Sequence, residues 1–331
     1  MSLQLTRRGA ILGGLGTLAV GGRASAQDKI VLKMGTLGST EYFYYKGAKR
    51  MAEEVAAKTN NRVDVQVFPN QQLGNERDMI EGMQLGTIDL AVINTPLLAG
   101  FDSRFLIFDM PFMFNDWAHV NTMLTSNIGA DLLKSLESKQ LKAFGFSTAG
   151  FRHVLNYKRA VAKPEDMSGL KIRTLDNPVH VAIMNAMGAN ATPMQYSEVA
   201  TALRQRTVDG LDSPAPAAVT EKFYETNKYL SLTGHVFTGV IYLMGMKRFQ
   251  ALPADLQTII SNAAKIGAET ETTLYNDFDA KSLEILKANH GMEINQVDKA
   301  AFRARMQPVF DRFQDRVGKA LIDRVRGMSA A

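Results

Sequence analysis

Arg173 sits near the end of an alternating stretch, Leu170 to Leu175, just before Asp176-Asn177-Pro178 turns the chain. Leu170, Ile172 and Thr174 alternate with Lys171, Arg173 and Leu175, the two-residue period of a strand with unlike faces. A guanidinium at that place has two readings. It is the solvated face of an edge strand, or it is a rigidly held planar donor waiting for a carboxylate, which it would grip through two parallel N–H bonds.

Groups that break bonds are not arranged for it. Cysteine is absent, which removes disulfides, thiolate metal sites and cysteine nucleophiles. His119, His153, His180, His235 and His290 form no HxH or HExxH pair, so no metal site is expected. GxSxG is missing, and no phosphate-binding glycine loop follows the leader, so no cofactor is expected. Glu53-Glu54 and Glu165-Asp166 are sequence neighbours, a spacing that points carboxylates apart or into water on a helix or loop. The 17 methionines read as core filler. Carboxylate enzymes leave no local signature, so an exported hydrolase of acidic sugars stands as the alternative reading.

A chain of 331 residues exceeds what one hydrophobic core usually serves, and two domains are the default. Net charge is +5, but Arg7, Arg8 and Arg23 lie in the first 26 residues, which hold no acid, and +2 remains without them. No basic stripe suggests nucleic acid. The first 26 residues carry a positive n-region, an uncharged stretch from Gly9 to Gly22 and the small-residue site Ala24-Ser25-Ala26. That is the pattern of a secretory signal peptide, cleaved after Ala26 to leave 305 residues in an exported form. Its apolar part is too short for a bilayer anchor. Thr6-Arg7-Arg8 fits a twin-arginine signal as well as a plain secretory one.

The elements that must position Arg173 follow. Strands are expected at 29–35, 62–68 and 88–94, with amphipathic helices over 41–58 and 75–85 between them and Gly86 capping the second. This alternation predicts an α/β sheet covered by helices. The aromatic run 105–114 reads as core beneath a loop. A helix over 116–139 leads to a strand at 141–147, and a polar crossing between lobes runs up to the strand of Arg173. Helices over 178–187 and 196–205 are joined by turns at GANATP and VDGLDSP. Periodicity from about 253 to 288, unbroken except at Gly267, predicts a helix of roughly 50 Å, longer than one lobe. A last helix is expected over 299–325.

Three segments in this order, FPNQQLGNERDMIEGMQLGTIDL, GFRHVLNYKRAVAKPEDMSGLKIRTLDNPVHVAIMNAMGANATPMQYSEVATALRQRTVDGLDSP and EKFYETNKYLSLTGHVF, resemble the substrate-binding proteins of tripartite ATP-independent periplasmic (TRAP) transporters, the DctP family. The similarity covers nearly the whole mature chain. It implies a two-lobed α/β periplasmic solute-binding fold. Residues 27–150 would form mainly lobe 1 and 151–250 mainly lobe 2, with crossovers, while 251–331 would supply a long bracing helix and a C-terminal helix. It also implies capture of a small organic acid, a C4-dicarboxylate or a sugar acid such as a hexuronate, and delivery to TRAP membrane permease subunits. A shuttle of this kind is expected to be monomeric, and the same binder docking on a membrane sensor is a further possible role.

The resemblance places the carboxylate-binding arginine at Arg173 and a second ligand-facing arginine at Arg152. Tyr196 takes the aromatic position after TPM. Ser213 stands where many members have the asparagine of VDGQENP, which exchanges an amide for a hydroxyl. Asp176 and Asn177 match the ENP form of the turn, associated with sugar-acid binders. Glu41, Glu76 and Asn94 fall at first-lobe positions facing the cleft, as acceptors for ligand hydroxyls. Two acids there would repel a second carboxylate, which favours a sugar acid over succinate.

Overall fold

Alternating and apolar stretches assemble into one nine-stranded sheet in a computed structural model that describes residues 29–328. The expected signal peptide, residues 1–26, lies outside the described residues. The strands are β1 (Ile30–Gly35), β2 (Val63–Phe68), β3 (Leu90–Asn94), β4 (Leu141–Asn156), β5 (Lys171–Thr174), β6 (Asn190–Pro193), β7 (Gly210–Ser213), β8 (Tyr229–Gly245) and β9 (Glu293–Asn295). Their order is β2-β1-β3-β8-β4-β7-β5-β6, with β9 beside one end of β8.

Two parallel units thus stand at the two ends of the sheet. β1 pairs in parallel with β2 and β3 on one side, and β5 pairs in parallel with β6 and β7 on the other. Between them run the long antiparallel strands β4 and β8. β8 joins β3 through residues 240–244, and β4 joins β7 through residues 153–156. Each long strand therefore belongs to both lobes. Alternate residues face opposite layers: Ile241 and Leu243 pack into one apolar cluster, Val240, Tyr242 and Met244 into the other. With both faces covered, these strands need not show polar alternation.

Several expected boundaries change. The strand begun at Leu141 runs on to Asn156, where a polar crossing was expected, and the expected lobe boundary at 150/151 falls inside it. Three register shifts along β4, at 143/145, 148/150 and 152/154, let it bend as it crosses. Gly150, at the middle shift, has φ +83°, and a Cβ there would lie 1.9 Å from the Tyr275 hydroxyl oxygen, so only glycine fits. The GANATP and VDGLDSP turns contain β6 and β7, made strands by pairing with β5. The helix expected over 116–139 is broken at Ser126, whose hydroxyl accepts from Ile128 N–H and starts a new helix, Asn127–Ser135. The last helix is three, Lys299–Ala304, Gln307–Val317 and Lys319–Arg326, with Gly318 at φ +96° between the last two.

The long helix is present as Ala254–Ala288, 35 residues. It packs on helix Phe43–Lys58 of the first lobe, on helix Ala215–Thr220 of the second and on β4 between them. Gly267, the one break in its pattern, meets Gly47: a Cβ on either would sit 2.8 Å from the other's carbonyl oxygen. The glycine pair is what brings the two helices together. Residues 105–114 are core as expected, with Phe105, Ile107, Phe108 and Met110 wholly buried.

Candidate functional site

The cleft between the lobes is built at the ends of strands. β5 delivers Arg173, β4 delivers Arg152 and β7 ends at Ser213, while helix Tyr196–Arg204 begins with Tyr196. From the first lobe, β3 ends at Asn94, helix Glu76–Leu85 begins with Glu76 and helix Phe43–Lys58 contributes Tyr44. All seven line one cavity. Asn75 caps helix Glu76–Leu85 by accepting from Asp78 N–H, so Glu76 is not needed as the cap and faces the cleft.

Arg173 is 4% exposed. Its Nε and Nη2 donate to the Met194 carbonyl at 3.2 and 2.8 Å, and the guanidinium carbon lies 6.0 Å from the Tyr196 ring centre. Among the described residues no carboxylate lies within ion-pair distance of it. Burial lowers its pKa to about 10, which still leaves it charged at neutral pH. A carbonyl and a ring orient this cation, and Asp212 and Glu76 act on its charge only from beyond ion-pair distance.

Arg152 is buried too, but its charge is matched. Nε donates to Asp212 Oδ2 at 2.7 Å and Nη2 to the Asp212 carbonyl. Burial opposes its charged form, yet the Asp212 carboxylate prevails and its pKa is raised. Asp212 is fully buried, and burial would raise its pKa, but Arg152, His180 and His235 hold it well below the usual range. His180 extends this network, with Nδ1 3.7 Å from Asp212 Oδ2 and Nε2 3.1 Å from Asp109 Oδ1. Burial lowers the His180 pKa, but the two aspartates outweigh it and raise the pKa overall.

The first-lobe wall is acidic and polar. Asn94 N–H donates to Glu76 Oε1 at 2.7 Å, and the Tyr44 hydroxyl donates to Asn94 Oδ1 at 2.5 Å. Burial pushes the Glu76 carboxyl up to about 7, against the hydrogen bonds from Asn94 and the pull of Arg173 and Arg152. The Tyr196 hydroxyl and Gln71 Oε1 are buried in the cleft without a hydrogen-bond partner among the described residues. Buried polar atoms are nearly always satisfied, so these two are available to a solute.

Seven of the nine residues expected at the site line this cavity: Arg173, Arg152, Tyr196, Ser213, Asp176, Glu76 and Asn94. Asp176 is exposed, 3.4 Å from Gln195 Nε2. The other two do not line it. Asn177 caps helix Pro178–Ala186 by accepting from Val179 N–H, and its amide donates to the Pro96 carbonyl and to Asp109 Oδ2 at 3.0 and 3.1 Å. It ties the two lobes instead of lining the cavity. Glu41 stands before its helix, with a side chain 73% exposed and 3.5 Å from Lys46 Nζ. Sequence reasoning missed Tyr44, Gln71 and Asp212. Asp212 sat in a segment read as a turn, and a buried acid paired to an arginine 60 residues away leaves no local signal. Among the described residues no group of three His, Asp or Glu side chains is placed to hold a metal ion.

The profile of DctP, bacterial extracellular solute-binding protein family 7, matches residues 34–316. A solute-binding protein of Verminephrobacter eiseniae is 40% identical over 275 residues, 83% of this chain and 82% of its own. A TRAP periplasmic solute-binding protein from Bordetella bronchispeptica superposes with TM-score 0.87 at 36% identity, covering 91% of this chain and all (100%) of its own. One from Polaromonas superposes with TM-score 0.87 at 34% identity, with the same coverage of 91% and 100%. This family consists of periplasmic substrate-binding proteins, not enzymes, that work with membrane permeases. The chain belongs to the DctP family of TRAP solute-binding proteins.

Proposed function

We propose that this protein, exported and freed of its leader after Ala26, captures a sugar acid in the periplasm and hands it to a TRAP membrane permease. The observation that carries this reading is the buried Arg173, oriented by the Met194 carbonyl and Tyr196 and matched by no carboxylate. Its remaining N–H groups donate to a solute carboxylate. Lobe closure then removes water and strengthens the pair. Arg152, already committed to Asp212, reaches the solute from one side. Tyr196 and Ser213 from the second lobe, and Glu76, Asn94 and Gln71 from the first, take its hydroxyls. Asp176 contributes at the rim. The protein acts as a monomer, with residues 27–150 and 151–250 supplying most of the two lobes.

Neighbouring structures hold small carboxylate solutes, both sugar acids and a dicarboxylate. The Polaromonas protein holds D-erythronate, one from Sulfitobacter holds β-D-galacturonate, and one from Sulfurospirillum deleyianum holds succinate. Thermal-shift screening of the 305-residue form against D-erythronate, D-galacturonate, D-glucuronate, galactonate and succinate tests it. A binder present at a thousand times its Kd stabilises by about 4 kcal/mol. A sugar acid that stabilises the protein and is recovered unchanged supports the reading. Turnover of that acid would replace it with the enzyme reading, and absence of permease genes beside this one would favour a sensor partner.

A further inference from the structure

One polar contact joins the lobes beside the cavity without lining it. Ser39 lies between β1 and helix Phe43–Lys58 of the first lobe, and Glu221 follows helix Ala215–Thr220 of the second. The Ser39 N–H and hydroxyl both donate to Glu221 Oε1, at 3.2 and 2.8 Å. The Ser39 oxygen also accepts from Glu41 N–H at 3.3 Å, which leaves the hydroxyl proton for Glu221. Each end is anchored in its own lobe. Asn70 N–H on the Gly38 carbonyl and Gln71 N–H on the Thr36 carbonyl, 2.8 and 3.1 Å, brace the Ser39 loop. Glu221 N–H donates to the Ala217 carbonyl at 3.0 Å, and its helix packs on the long helix Ala254–Ala288. Glu221 is half-buried and has no ion pair among the described residues, so Ser39 supplies the hydrogen bonds its carboxylate receives from them. Neither residue lines the solute cavity, and Glu221 lines a neighbouring crevice that shares Leu37, Gln71 and Tyr196 with it.

We propose that Ser39 and Glu221 are the closing latch of this protein: their bond forms as the lobes shut over a solute and must break before the solute leaves. This rests on capture between the lobes, with Arg173 as the carboxylate holder. The two residues are 182 positions apart, and no hydrogen bond that fixes one end involves the other lobe. Moving a lobe therefore parts donor from acceptor and leaves both ends intact. A carboxylate oxygen that receives two hydrogen bonds is held more strongly than a neutral acceptor. A contact made only in the shut form shifts the balance of shut and open forms by its own strength, without touching the solute. Solute enters the open form, so the latch acts on release and leaves association unchanged. It favours every acid that permits full closure equally, and the ranking of solutes stays with the cavity.

The test is stopped-flow energy transfer on the full mature protein with D-erythronate and D-galacturonate. The chain has no cysteine, so dyes on Lys49→Cys in the first lobe and Gln205→Cys in the second, both exposed, report lobe separation. Glu221→Ala should speed reopening and release about tenfold with either acid, with association and the ratio of the two affinities unchanged. Ser39→Ala keeps the N–H donor and Glu221→Gln keeps an acceptor, so each should give a smaller increase. Ser39→Ala combined with Glu221→Ala should release no faster than Glu221→Ala alone, a coupling that residues supporting only their own lobes would not show. Release from Glu221→Ala at the parent's rate, additive effects of the two substitutions, or a change confined to association would overturn the latch. If Glu221→Ala does not fold, parental release from both Ser39→Ala and Glu221→Gln overturns it instead. Arg173→Ala separates the two ideas. If it abolishes closure while the latch variants release at the parent's rate, the latch alone is wrong. If it closes on the acids as the parent does, or if neither acid shuts the parent, the capture reading is wrong and the latch falls with it.

Discussion

Arg152 and Asp212 form an ion pair with Nε 2.7 Å from Oδ2, buried between the lobes and joining neighbouring strands β4 and β7. The pair explains why two arginines in one cleft are not equivalent. One is held by an acid of the fold, and the other has no carboxylate within ion-pair distance among the described residues.

Removing the free one should remove binding. Arg173→Ala is expected to abolish capture of the carboxylate solute, a cost on the order of 2–5 kcal/mol for a desolvated charge pair cut on one side. Arg173→Lys should also weaken it strongly, because an ammonium does not reproduce the planar fork. Calorimetry showing near-native affinity for the lysine variant would contradict this.

Arg152→Ala should act first on stability. It strands Asp212 in the core, and breaking a buried pair from one side typically costs about 3–5 kcal/mol. Arg152→Ala combined with Asp212→Asn should recover part of that loss in urea unfolding. At temperatures where the single variant stays folded, its loss of solute affinity should be smaller than that of Arg173→Ala.

Glu271 carries a pH signature. It lies fully buried in the long helix, accepts from the Tyr242 hydroxyl at 2.7 Å, and burial raises its pKa to about 8. Between its ordinary value of 4.5 and about 8 the folded state holds a proton that the unfolded chain has released. Its contribution to stability therefore declines as pH rises through that window. Glu271→Gln should match the parent near pH 4.5 and exceed it by roughly 1–3 kcal/mol at pH 8.5. Equal pH slopes of unfolding free energy for the two proteins would refute this.

Gly150→Ala should destabilise by about 1–3 kcal/mol, since it combines a left-handed backbone with a collision against Tyr275. Truncating Tyr275 as well should relieve the collision but not the backbone strain, so the double variant recovers only part of the loss. Full recovery in thermal unfolding would mean that the positive φ costs nothing.

The elements that the sequence made legible are those whose burial follows a single period. Helix Phe43–Lys58, helix Ala254–Ala288 and strands β1 to β3 each bury one face, or both, against a continuous apolar layer. β4 was hidden beyond Ser147 because Arg152, His153 and Asn156 look like surface residues until their partners are known: Asp212 for the first, the Gly234 N–H for the second, and the main chain at 158–159 for the third. β6 and β7 are four residues each and rich in turn formers, and only pairing with β5 makes them strands.

At the site, the sequence by itself determined which residue types were available: no thiol, no metal spacing, and a guanidinium at a strand end within a family pattern. Tertiary structure decided how each is used. It gave Asn177 to a helix cap, left Glu41 in solvent, matched Arg152 with Asp212 and set Glu76 across from Arg173. The reason is electrostatic. Whether a charged side chain is a partner of the fold or a receptor for a solute depends on which opposite charge lies within a few ångströms and on how much water remains, and both are fixed by residues distant in the chain.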